Sequence, residues 1–372
     1  MSTYDVAIVG GGPGGLAAAL EVRRAGCSCV VLEHRRSPVD KACGEGLMPG
    51  ALAALKRWNV PLDDSARFTA IRWVQEDGRY VEADLPEPGG LGVRRVLLRR
   101  ALFGAARAAG ADVHEGVDVT AHRLTASGVE LAVTAARTDG RGPPGSIQAR
   151  LLVAADGLQS PLRRAAALEQ PASGSKRFGL RKHFAVAPWG SRVEVHFADG
   201  LEAYVTPAGA NRVGVAFLWE DRRIPDPVSF DAMLARFPAL AGTLADAPAD
   251  SRPMGAGPLL QRVRATVSGR LLLLGDAAGY VDAITGEGLS LAFAQARVLG
   301  ELLPSALDDP SKLARYDEAS RRAFRSYARL ASWLVALTRR PTLRRAAVNG
   351  LISRPEVFGF LLRRLTSPRV PG

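Results

Sequence analysis

The chain is 372 residues long, 47% apolar and 23% charged, which fits two domains or one large composite domain around a buried core. It excludes a disordered tail, a coiled coil and a small disulfide scaffold. Net charge is +12, and residues 312–372 hold 14 Lys or Arg against Asp317, Glu318 and Glu356, so almost all of the excess lies at the C-terminal end. Such an end suits an acidic partner, an anionic membrane or a nucleic acid, and also suits an ordinary solvated helix face. Cys27, Cys29 and Cys43 cannot all pair, so a reducing, cytoplasmic setting is expected. Asp5 stands before the apolar run Val6 to Val9, which is not the pattern of a signal peptide. No stretch of 18 or more residues is apolar and free of charge, so any membrane contact is expected to be peripheral.

In chain order, residues 4–40 read as strand, glycine-rich turn, helix and second strand. Gly10, Gly12 and Gly15 form G-x-G-x-x-G, with Gly14 in the same turn. Gly10 permits the tight turn, Gly12 lets backbone approach a pyrophosphate, and Gly15 lets helix pack on strand. Glu33, at the end of the second strand, is placed to accept the ribose hydroxyls of an adenosine. The glycines alone would be weak; strand, helix and acid together predict a dinucleotide site on a helix N-terminus.

Residues 70–85 alternate around Asp77-Gly78 as a hairpin. A helix from Val96 to Ala109 follows Arg95. Leu151 to Arg163 is a buried strand running into Asp156-Gly157, and Ser160 has no G-x-S-x-G around it that would suggest a hydrolase. Residues 178–219 alternate as an antiparallel sheet with one apolar face. Arg270 to Gly288 is another buried strand ending at Gly275-Asp276, with Thr285-Gly286-Glu287-Gly288 leading into a helix, Leu289 to Leu303. Tyr316 to Leu365 reads as helix divided at Pro341 and Pro355.

In this order the three motifs resemble those of FAD-dependent oxidoreductases related to p-hydroxybenzoate hydroxylase. The likeness runs along nearly the whole chain. It is closer to the geranylgeranyl reductase branch, through Lys41 to Gly46 (KACGEG) and GDAAGYVDAITGEG, which has Gly279 where many hydroxylases have His. Ala283 and Glu45 depart from that branch, which usually has Pro at the first and often Gly at the second.

The resemblance implies an α/β fold: a Rossmann-type FAD-binding domain in three ββα layers, an inserted antiparallel-sheet substrate domain and a C-terminal helical segment. The boundaries expected are 1–64, 91–170 and 260–310 for the first, 65–90 and 171–259 for the second, and 311–372 for the basic helices. It also implies FAD, held by Gly10, Gly12, Gly14, Gly15, Glu33 and Arg95, by Asp156 and Gly157, and by Gly275 and Asp276 at the ribityl chain. Backbone donors at Gly286, Glu287 and Gly288 would face the ring edge, where the helix dipole favours the negative charge of the reduced ring.

Cys43 is the candidate catalytic residue, since the branch has a cysteine on the loop that reaches the flavin. A thiol there could donate a proton, line the pocket or simply pack. Phe184, Trp189, His196, Tyr204 and Trp219 are the pocket candidates. With one dinucleotide motif, NADPH or NADH would bind only transiently, and a protein such as ferredoxin is the other electron source. The five histidines and the cysteines have no ligand spacing, so no metal is expected.

The function expected is hydride transfer between FAD and a hydrophobic organic substrate. The alternative is an NAD(P)H-dependent monooxygenase acting on an aromatic or polyketide-like substrate. From another class comes a flavin-binding, membrane-associated protein without turnover. Nucleic acid is not an expected partner, for want of an aromatic tracking pattern; a monomer or homodimer is.

Overall fold

The computed structural model describes residues 2–135, 145–171, 176–221 and 228–366. Strand Ser2–Val9 lies at the centre of the first sheet, paired in parallel with Cys29–Glu33 on one side and Ser146–Ala154 on the other. Asp112–Glu115 and Leu271–Leu273 extend it, again in parallel. The inner strands are apolar at Val6–Val9, Val30–Leu32 and Leu151–Ala154, where both faces of the sheet are covered, while the edge strand Asp112–Glu115 is half-buried and mostly polar. Helices α1 (Pro13–Arg24), α2 (Pro49–Arg57) and α3 (Arg95–Ala108) flank one face, where Leu16, Val22, Leu98 and Leu102 pack on Val6, Ile8 and Val31. On the other face the antiparallel pair Val117–Leu124 and Val129–Ala135 branches from Ser146–Ala154 and lays Val117, Val129 and Leu131 over Val30, Leu32 and Leu152. The layers are helix, parallel sheet and antiparallel ribbon.

The second sheet has seven strands, in the order Met254–Ala256, Arg177–Phe184, Arg212–Glu220, Leu201–Gly209, Arg192–Ala198, Ala70–Val74 and Tyr80–Asp84. All neighbours are antiparallel except Arg192–Ala198 with Ala70–Val74. This pair corrects the wholly antiparallel expectation: the hairpin joins from a distant part of the chain instead of through a tight turn. Helix α4 (Pro161–Ala165) starts at Ser160, whose hydroxyl accepts from Arg163 N. Helices α5 (Phe230–Leu234) and α6 (Pro238–Thr243) cover one face of the second sheet, with Phe230, Met233, Phe237 and Leu240 against Val205, Phe217 and Trp219.

Helix α7 (Gly288–Asp308) returns to the first domain and buries Phe293, Ala296, Leu299 and Leu303 beside α1. Helix α8 (Leu313–Thr338) is held to the sheet by Tyr316, which is fully buried and donates to Leu273 O at 2.8 Å. Helices α9 (Pro341–Ile352) and α10 (Pro355–Thr366) begin at the two prolines and cross to the hairpin, where Val348, Phe358 and Leu362 pack on Val81 and Trp73. No described helix is long and apolar enough to cross a membrane.

Candidate active site

The glycine turn is shaped by close approach. Gly10 has φ +109°, and a Cβ on it would stand 2.3 Å from Ala155 O, while one on Gly15 would stand 1.8 Å from Gly10 O. No side chain caps the N-terminus of α1 at Gly12, so its first N–H groups stay free for an anion. The space before Gly12 is faced by the Arg95 guanidinium, 3.5 Å from where a Cβ would be. Gly14 instead faces Leu274 and Ala292, so its small size serves packing. The Glu33 carboxylate is buried at the strand end, accepting from Gly11 N at 2.7 Å and Arg35 N at 3.0 Å.

Beyond this turn two more strand ends converge. Asp156 accepts from Leu162 N at 3.1 Å through Oδ2, while its buried Oδ1 has no partner. Burial pushes this carboxyl above its usual range. Gly157 faces Lys41 Nζ, which also reaches Asp276 Oδ2 at 3.5 Å. Gly275 N donates to Gln295 Oε1 at 2.8 Å, fixing that turn to α7. Arg163, wholly buried, donates to Leu158 O at 2.9 Å and Ala277 O at 3.3 Å and so ties the two turns together.

The loop from Asp40 to Gly46 is pinned by Arg181, His183 and Ser251, none of them a site residue expected from the sequence, and by the backbone of Arg95. Arg181 donates to Asp40 Oδ1 at 2.6 Å and to Lys41 O at 3.1 Å. Glu45, buried and at φ +61°, hydrogen-bonds His183 Nε2 and accepts from Arg95 N at 3.0 Å. Ser251 Oγ sits 2.9 Å from His183 Nδ1. Held in this way, Cys43 is half-buried, with its Sγ 3.4 Å from Glu45 N.

A second buried network joins the other sheet to the loop before α7. Arg177 pairs with Glu202 at 3.0 Å and with Asp282 at 2.7 Å, and Tyr204 donates to Glu202 at 3.1 Å. Burial pushes Asp282 up to about 6 against the pull of Arg177. Leu158, Leu218 and Leu259, with Tyr204, Tyr280 and Ala283 around them, form an apolar cluster between that sheet and the loop.

Of the five aromatic pocket candidates only Tyr204 belongs to this cluster. Phe184 and Trp219 sit in the core under α5 and α6, and His196 meets Phe237 edge-on, because alternation along the strands sends them to the opposite face. Trp189 is exposed on a separate loop. Gly286 and Gly288 flank Glu287 at the uncapped start of α7. Both Glu287 carboxylate oxygens are buried without a partner, and burial pushes the group up to about 7. Among the expected site residues only Glu287 lines the large cavity, of about 1440 Å³, on the α8 side.

A free helix N-terminus beside Arg95, an acid at the second strand end, and the Lys41–Asp276 pair fit the diphosphate, ribose and polyol of a flavin dinucleotide. The chain belongs to the FAD binding domain family, whose model matches residues 3–331. It is 30% identical over 320 residues to a menaquinone reductase of Mycobacterium tuberculosis, covering 81% of this chain and 76% of that protein. It is 28% identical over 345 residues to digeranylgeranylglycerophospholipid reductase 1 of Methanopyrus kandleri, covering 87% of each. It is also 28% identical over 355 residues to the 12-dehydrotetracycline 5-monooxygenase/anhydrotetracycline 6-monooxygenase of Streptomyces rimosus, covering 86% of this chain and 66% of that protein. The protein is an FAD-dependent oxidoreductase, with reductases and a monooxygenase among its relatives.

Proposed function

We propose that this enzyme reduces a carbon–carbon double bond in a hydrophobic organic substrate. Bound FAD supplies the hydride. Gly10, Gly12, Gly15, Glu33 and Arg95 hold its adenosine diphosphate half, and Asp156, Gly157, Gly275 and Asp276 its pyrophosphate and ribityl region. The observation that supports the reading is the pinned loop, which holds the half-buried Cys43 thiol through the Arg181 and Glu45 contacts, together with the apolar cluster of Leu158, Leu218 and Leu259 between the second sheet and the loop before α7. As a hydride reaches one alkene carbon, the Cys43 thiol gives its proton to the other, and solvent restores it. Of the three expected donors, Gly286 N is taken by Ala283 O at 3.1 Å and Glu287 N by Thr285 Oγ1 at 3.4 Å, so the stabilisation of negative charge at the ring edge would come from Gly288 N and the dipole of the uncapped α7 start. The electrons come from NADPH or NADH, or from a protein such as ferredoxin.

Cys43→Ala is expected to keep bound FAD and lower turnover at least tenfold, measured as substrate-dependent reoxidation after anaerobic reduction; full activity would overturn the proton-donor role. Mixing the reduced enzyme with oxygen separates the second reading, favoured by the monooxygenase relative. A transient absorbance before reoxidation, with substrate present, would assign the enzyme to oxygenation.

We also infer that the C-terminal helices rest on an anionic membrane in the cytoplasm. Trp333, Leu343, Val357 and Phe360 are exposed there, among the arginines that carry most of the net charge. Trp333→Ser with Leu343→Ser is expected to reduce co-sedimentation with vesicles containing phosphatidylglycerol; unchanged binding would sink the idea.

A further inference from the structure

The cavity between α7 and α8 has two walls of opposite character. Arg322, Arg325 and Arg329 recur three and four residues apart along α8 and so share one face. Arg262 and Arg363 line the same space. The side chains of these five have no hydrogen-bond or ion-pair partner among the described residues, whereas neighbouring Arg321 pairs with Asp317 at 3.5 Å. Opposite, at the start of α7, Glu287 is 9% exposed and Ser290 4% exposed. Both Glu287 carboxylate oxygens and Ser290 Oγ lack a partner at ordinary hydrogen-bond geometry, and the weak Ser290–Glu287 contact offsets only part of the effect of burial.

Five exposed guanidiniums without a protein partner around one cavity make a positive field that attracts an anion, and the forked geometry of arginine suits phosphate oxygens. A buried carboxyl and hydroxyl without partners are costly unless a ligand hydrogen-bonds to them. We propose that this cavity is a second anion site, apart from the glycine turn. It takes an organic ligand that places a phosphate or diphosphate on the α8 arginines and a hydroxyl or amide group on Glu287 and Ser290. None of Gly10, Gly12, Lys41 or Arg95 lines the cavity, and Glu287, whose backbone lies in the turn proposed for the flavin ring edge, is the one residue the two sites share. Two sources share this chemistry: a nicotinamide dinucleotide, with its diphosphate and carboxamide, and a glycerophospholipid headgroup. The inference stands apart from the proposed reaction, since it concerns binding alone.

The test uses the full chain saturated with FAD, and calorimetric titration with inorganic pyrophosphate, with NADP+ and with monomeric short-chain phosphatidylglycerol. Saturable pyrophosphate binding is expected, weakened at least tenfold in Arg325→Gln/Arg329→Gln. It should be unchanged in Arg345→Gln/Arg354→Gln, which removes equal charge outside the cavity. Glu287→Gln is expected to weaken the organic ligand at least fivefold and pyrophosphate less than twofold. Competition with pyrophosphate by NADP+ assigns the dinucleotide source, and competition by phosphatidylglycerol assigns the headgroup. Retained FAD absorbance shows that each variant is folded. Absence of saturable binding by all three probes, or equal weakening in the two double variants, would overturn the proposal whatever the enzyme's turnover.

Discussion

Asp276 and Glu287 are both acids in glycine-rich turns, and their surroundings give them different work. Asp276 is about one-third exposed and faces Lys41, so it stays accessible to a ligand hydroxyl. Its replacement by Ala is expected to weaken FAD retention about tenfold, the worth of one charge-assisted hydrogen bond, measured as flavin content after dialysis. Unchanged content would contradict the proposed ribityl contact. Glu287 is buried without a partner and its pKa rises from 4.5 to about 7. The folded state then binds more protons than the unfolded chain across that interval. Stability therefore falls as pH rises from about 4.5 to 7 and levels off above it. Glu287→Gln removes this loss and should gain on the wild type between pH 5 and pH 8 by on the order of 3 kcal/mol. Denaturant midpoints at three pH values would show it, and parallel pH profiles would refute it.

At the scale of elements, the strand–turn–helix units were legible because their signals are local: small residues where backbones touch, and apolar runs where both sheet faces are covered. The loop that carries Cys43 was not, since what holds it comes from far along the chain. Glu45 meets His183 across 138 positions and Asp40 meets Arg181 across 141, and neither spacing leaves a periodic mark. Glu45 also explains its own departure from the glycine often found in the related branch. Its φ of +61° is a conformation that glycine adopts freely and that costs other residues about 1 kcal/mol. Glu45→Gly would relieve this but remove the acceptor for buried His183 and for Arg95 N, a loss of about 2–3 kcal/mol. Net destabilisation of about 1–2 kcal/mol is expected, measured by chemical unfolding. A stabilised variant would show that backbone strain outweighs the network.

At the scale of the whole molecule, the sequence marks residues 311–372 as a segment of basic helices with an apolar stripe, but not which part of the body they pack on, because the contacts come from far along the chain. Packing makes it part of the body. Tyr316 is anchored to Leu273 in the first sheet, while Phe358 and Leu362 close the hairpin of the second. The buried Arg344 also meets Gln75 at 3.3 Å and pairs with Glu76 in the same hairpin. A truncation before Ser311 would therefore uncover both sheets, and lost vesicle binding in such a fragment would report misfolding instead of membrane docking. Phe358→Ala tests the coupling: its ring is 1% exposed and lies 4.9 Å from Trp73, so the cavity left behind should cost on the order of 3 kcal/mol. Calorimetry is expected to show melting lowered by about 4 °C, with the bound flavin and the hairpin lost in one transition because the C-terminal helices bridge the two sheets. A low-temperature transition that spares the flavin would mean that α9 and α10 dock as an independent unit.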